Sequence, residues 1–401
     1  MKKNDLYSLG FLDSAVIASF REVINASAIF TEHEDYKPIF NLICVFMDRI
    51  DSSVRYLNNY MDMPGSEEDF INFLVYAAIL RDGVKTLFEN VFHKEPPCIG
   101  EKRYFSNAMY HNKPFFNEDT CPTDDDFFEY LRAMAFAHPY EVSGRQRNRP
   151  YMQSGEKHYC PWVIVGNSLK AFSGFKDAVG VRVYSSIDEE GITDITISFS
   201  ALKAYIKSRY DGIEELTKWA EAGIEKQTEE WKQVKVNRNQ QPAEILQEII
   251  EILKERFENA FSIETALMYL NCPLSDERNE KNVAIFREAI IRTVPTICDC
   301  VDSLDYAGMG RAISIVFSQP QRMHAMAHYQ LEKIYSYLDF RSKTIDPFSN
   351  EYWGLRQAYA FSQGFAKKWV MIDVVNMPYD EIKLLVRVAC YLEAEEQAAQ
   401  T

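Results

Sequence analysis

Apolar residues recur at helical spacing over most of this chain, and that period is what most limits its fold. From Tyr36 to Met61 they fall at Ile39, Ile43, Phe46, Ile50, Val54 and Leu57, the stripe of an amphipathic helix. A similar stripe runs from Phe11 to Ile29. Pro64-Gly65 then breaks the chain, and Ser66 offers an N-cap with Asp69 three positions on. The next stripe runs through Phe70, Phe73, Leu74, Ala77, Ile79 and Leu80 toward Phe92, so a second long helix is expected there. Two such helices joined by a Pro-Gly turn make a hairpin, which is half of a bundle.

Between 94 and 124 the pattern lapses at Pro96-Pro97, Gly100, Pro114 and Pro122, which predicts an irregular loop. Thr123 is a cap ahead of Asp124-Asp125-Asp126, charges that suit a helix N-terminus, and a helix is expected from Phe127 to Ala137, ending before Pro139. From Trp162 the period changes. Trp162–Val165, Ala178–Tyr184 and Ile192–Phe199 are rich in β-branched and aromatic residues, and a small antiparallel insertion over 162–199 is expected. A helix capped by Ser200 follows, running past Tyr205 and Tyr210 toward Trp231, and completes a four-helix set. Polar residues dominate Gln227 to Gln241, and Pro242 opens a new helix, which places a boundary between 1–235 and 236–401. The second part reads as helical throughout, over 243–261, 262–270, 276–304, 309–318, 320–340, 349–370 and 378–397. The fold class is therefore mostly α, an N-terminal bundle with a β insertion followed by an all-α domain.

Charge restricts the partners. With 44 basic and 59 acidic residues the formal net charge is −15, so nucleic acid and anionic membranes are repelled overall and any nucleic-acid contact needs a local basic island. One lies between Glu141 and Lys170, where Arg145, Arg147, Arg149, Lys157 and Lys170 stand against Glu141 and Glu156. No apolar run reaches the roughly 18 residues of a membrane span. The eight cysteines are scattered, and Lys2-Lys3-Asn4-Asp5 leads straight into an amphipathic stretch, which suggests reduced thiols in a cytoplasmic protein. Cys298-Asp299-Cys300 lacks the second pair of a structural zinc site.

Beside the island lies Arg132-Ala-Met-Ala-Phe-Ala-His138. A histidine can exchange a proton with a ribose 2'-hydroxyl or a leaving oxygen, and an arginine can stabilise charge growing on a phosphate, which together can cut RNA without metal or cofactor. On a regular helix this spacing leaves the two side chains about 120° apart, so they need a distorted helix end or a second copy to converge. The stretch resembles the motif of the HEPN superfamily, helical ribonuclease domains of prokaryotic toxins and phage-defence proteins, in which an arginine is followed after four to six residues by histidine, often as Ala-His. Where members commonly carry Asn, Asp or His directly after the arginine, this chain has Ala133. The resemblance implies a four-helix core, a homodimer that brings two motifs to one cleft, and metal-independent RNA cleavage with Arg132 and His138 as catalytic residues.

In that reading Arg145, Arg147, Arg149, Lys157 and His158, interleaved with Tyr151, Tyr159 and Trp162, would contact RNA by charge and stacking. Arg322-Met-His324-Ala-Met-Ala-His328 is either a second copy of the motif through Arg322 and His328, a metal pair of His324 and His328, or the edge of a core helix. Asp82 and Lys85 interrupt an apolar helix face and are either orienting groups or a surface pair. The rival to a nuclease is a non-catalytic helical module that senses a ligand or binds a regulatory protein partner.

Overall fold

The computed structural model describes residues 10–110, 113–143, 149–165, 174–187, 192–338 and 347–400. They form two compact units, Met1–Glu225 and Lys226–Thr401, mostly α with a small antiparallel sheet.

In the first unit α1 (Ser14–Asn25) and α2 (Ile29–Glu32) lead to α3 (Phe40–Leu57) and α4 (Glu67–Phe92), which pack on one another as the expected hairpin. Ser66 caps α4 by accepting from the Asp69 N–H at 3.1 Å. Ile43, Phe46, Ile50, Val54 and Leu57 of α3 are buried, as are Phe70, Phe73, Leu74 and Ala77 of α4. Each large side chain so buried contributes about 1.5–3 kcal/mol.

The stretch expected to be an irregular loop instead holds two short strands, β1 (Met109–Tyr110) and β2 (Lys113–Pro114). After α5 (Asp124–Arg132) come β3 (Val142–Ser143), β4 (Lys157–Val165), β5 (Ala178–Ser185) and β6 (Thr193–Ser198). The sheet runs β2-β1-β6-β5-β4-β3, every neighbouring pair antiparallel, so the insertion is larger than the 162–199 core predicts. Val179, Val181 and Val183 of β5 and Ile195 and Ile197 of β6 bury one face of the sheet in the same core as the helices, by the two-residue period of a strand. β4 packs on α4.

The next helix is interrupted. α6 (Phe199–Tyr210) and α7 (Ile213–Gln233) replace the single helix expected toward Trp231. A side chain at Gly212 would lie 3.2 Å from the Arg209 carbonyl oxygen and 3.3 Å from Val84 of α4, so close packing favours glycine there, and glycine weakens a helix interior. The cap is Ser198, accepting from the Ala201 N–H at 3.3 Å. Ser200, expected in that role, donates its N–H and hydroxyl to Asp177.

The second unit has its own core. Its helices are α8 (Pro242–Glu255), α9 (Phe261–Asn271), α10 (Glu280–Asp302), α11 (Tyr306–Ile313), α12 (Ala325–Tyr337), α13 (Pro347–Gln363) and α14 (Tyr379–Ala399). From Glu381 to Leu392 α14 is buried on all sides, the mark of a central helix. The fully buried Glu381 is satisfied by the N–H and hydroxyl of Ser275, at 2.7 and 2.5 Å. Among the described residues no helix is long and apolar enough to cross a membrane.

Candidate functional site around Arg132 and His138

Three attachments fix the helix that carries the motif. At its start Thr123 accepts from the Asp126 N–H at 3.1 Å, with acidic residues through the first turn as the helix dipole favours. In the middle the Tyr130 hydroxyl meets His158 Nδ1 of β4 at 2.8 Å. At its end the Pro139 carbonyl accepts from the Cys160 N–H at 2.8 Å.

The last turn is not α-helical. Ala133–Ala137 form a π turn, closed by the His138 N–H donating to the Ala133 carbonyl at 2.7 Å. Pro139 keeps the preceding residue out of helical geometry, and His138 sits at φ −143° and ψ 53°. Such turns add a residue to the helix and are frequent at functional sites. The angular separation computed for a regular helix therefore does not describe Arg132 and His138. The His138 side chain is exposed, and no hydrogen bond or ion pair joins it to another described residue.

Arg132 is differently placed. Its guanidinium meets Glu129 at 2.7 Å and Asp82 at 3.7 Å. Arg81, buried over the Phe128 ring, also pairs with Asp82 at 2.5 Å and with Glu129. Two arginines thus neutralise two carboxylates in one cluster, and Arg132 Nε is buried without a hydrogen-bond partner among the described residues. A phosphate at Arg132 competes with Glu129 and Asp82 for the guanidinium. Asp82 is drawn to the two arginines, while Lys85 pairs with Glu89 and Glu95.

Of the basic island, Arg145 and Arg147 lie outside the described residues. Arg149 and His158 are buried, where an exposed loop would have presented them to solvent. Arg149 lies 5.7 Å from the Tyr130 ring centre and donates to the Ser143 carbonyl at 3.2 Å. Lys157 is half-exposed and paired with Glu141 at 2.9 Å.

His158 is one member of a buried chain. Its Nε2 meets Glu156 Oε1 at 2.8 Å, Ser185 donates its hydroxyl to the same oxygen at 2.7 Å, and the Gln153 N–H donates to Glu156 Oε2 at 2.7 Å. Burial pushes His158 down, an effect only partly offset by Glu156. Burial alone would raise Glu156, but the donors from Gln153, Ser185 and His158 outweigh it and hold the carboxyl below its ordinary value. Burial pushes the Tyr130 phenol well up, so it keeps its proton. His158 is then neutral, with Nε2–H donating to ionised Glu156 and Nδ1 accepting from Tyr130. Both ring nitrogens are occupied, and neither is open to RNA.

This chain borders a cavity of about 510 Å³ on the inner face of the sheet, walled by Tyr110, Phe115, Tyr151, Val183, Thr193 and Ile195, with Glu156, His158 and Ser185 at one end and Gln153 and Ile187 at the rim. Sequence reasoning missed Tyr130, Glu156 and Ser185. The available signal was Glu156 and His158, two titratable residues at the two-residue spacing that places them on one face where a strand begins.

The second motif is not laid out like the first. His324 is the N-cap of α12, its Nδ1 accepting from the Met326 N–H at 3.2 Å. The helix thus starts at Ala325, later than the Pro320 start predicted, and Arg322 lies before it, its backbone bonded both ways to Gln397 at 2.9 Å. His324 and His328 are exposed, and among the described residues no group of three His, Cys, Asp or Glu is placed to hold a metal. Asp299 and Asp302 pair with Arg238, and Asp305 caps α11.

Fold and site define a mostly-α protein with an antiparallel insertion that braces an Arg-x5-His helix end. No family model matches the chain, and no curated protein or solved structure shows significant similarity to it.

Proposed function

We propose that this protein is a metal-independent endoribonuclease of HEPN type, acting in the cytoplasm as a toxin or antiphage effector and completing its site as a homodimer. The observation that carries the reading is the π turn that starts beside Arg132 and ends at an exposed His138, whose side chain has no partner among the described residues. His138 is the general base or acid, and Arg132, once freed from Glu129 and Asp82, stabilises the phosphate. The test is growth arrest on expression together with cleavage of RNA by the purified protein in a metal chelator. Arg132→Ala and His138→Ala are each expected to lower cleavage by about a hundredfold or more and to relieve arrest. Equal toxicity of all three proteins would remove the assignment.

The neutralised cluster around Arg132 supports a second reading, a helical module that senses a ligand or binds a protein without cutting RNA. It predicts no RNA degradation at any salt concentration.

A further inference from the structure

The cavity on the inner face of the sheet has the composition of a ligand site. Three aromatic rings, Tyr110, Phe115 and Tyr151, line it with Val183 and Ile195 of adjacent strands. Its size falls in the range of small-molecule pockets. Among the described residues no lysine or arginine lines it, and the Glu156 carboxylate at its wall attracts N–H donors.

The acceptor count narrows the ligand. A carboxylate has about four lone-pair sites. On Glu156, Oε1 already receives His158 and Ser185, and Oε2 receives the Gln153 N–H. One site on Oε2 is left for a single donor. The buried Tyr151 hydroxyl faces the Arg149 guanidinium without closing a well-formed hydrogen bond among the described residues, so it is a second polar group that a ligand can engage. An unsatisfied buried hydroxyl costs free energy that such a ligand recovers.

We propose that this cavity binds a planar, amino-bearing heteroaromatic ring, of which adenine, cytosine and guanine are the nearest examples, with its amino group on Glu156 and its face against the aromatic wall. The base comes either from a free nucleoside or from an unpaired position of an RNA strand. The site does not depend on Arg132 or His138, so it stands or falls separately from RNA cleavage.

The experiment is calorimetric titration of the full-length protein with adenosine, cytidine, guanosine and uridine, and with single-stranded oligonucleotides of each base. Glu156→Gln removes the charge while keeping the shape. Ile187→Trp fills the exposed rim without touching the core, so it remains informative if Glu156→Gln does not fold. At least one amino-bearing nucleoside or oligonucleotide is expected to bind, at least tenfold more tightly than its uridine counterpart, and at least tenfold more weakly to either folded variant. Binding by nucleosides identifies a free ligand, and binding by oligonucleotides alone identifies a base on a strand. No binding by any probe, binding of uridine equal to the others, or binding unchanged in the folded variants overturns the proposal.

Discussion

At the residue scale the telling group is His158, a histidine whose sequence context suggests an RNA contact and whose surroundings make it a neutral link between a carboxylate and a tyrosine. Its titration is depressed by burial, and that of Glu156 by its donors. In both cases the unfolded chain binds more protons than the folded one, so stability rises with pH. The His158 contribution is fully present above its ordinary value of 6.5 and is lost as pH falls toward its lowered folded value. The Glu156 contribution is present above 4.5 and is lost below it in the same way. Urea midpoints measured from about pH 8 down to about pH 2.5 are expected to fall in these two windows. His158→Gln should flatten the upper one while leaving the lower, and a profile identical to wild type would show that His158 titrates alike in the folded and unfolded chain, against a depressed folded value.

At the element scale, the insertion depends on a close approach in its central strand. A side chain at Gly180 of β5 would place its Cβ 2.0 Å from the Ile195 carbonyl oxygen of β6. The contact is with backbone, so the strands themselves must part. Gly180→Ala is expected to destabilise the protein by about 1–3 kcal/mol, read as a lowered urea midpoint with unchanged slope. An unchanged midpoint would mean that the strand pair has slack there. The elements that sequence revealed were those fixed by local chemistry. Ser66 and Thr123 cap their helices because a hydroxyl needs only the N–H three residues on. The pairing of Arg132 with Glu129 follows from one helical turn, but Asp82 and Arg81 come from α4, and no local pattern announces them. Met109–Tyr110 is a strand because β6 offers it an edge, and Lys113–Pro114 because Met109–Tyr110 in turn offers the next one, and their own residues carry no alternation. The π turn escaped for a similar reason. It differs from an α turn by one residue in the choice of acceptor, and that choice is made where Pro139 and the Cys160 N–H of β4 hold the helix end.

At the scale of the whole molecule, charge sets how RNA can be held. A chain of net charge −15 repels a polyanion, and the folded island is weaker than its composition suggests. Arg149 is buried over Tyr130, Lys157 is paired with Glu141, and Arg132 is shared between Glu129 and Asp82. The other cations of this stretch in the sequence are Arg145, Arg147 and Lys170, which lie outside the described residues. For single strands each phosphate contact contributes about −0.7 to the slope of log affinity against log salt. Three contacts therefore give a slope of about −2, far shallower than that of a dedicated nucleic-acid binder. Fluorescence anisotropy with a labelled single-stranded RNA, titrated over a range of potassium chloride concentrations, measures it directly. A slope of about −2 or shallower is expected, and Arg145→Ala with Arg147→Ala should bring it toward zero. A slope of about −5 or steeper would require some seven phosphate contacts, and the basic footprint would then have to lie on a surface other than the one beside His138.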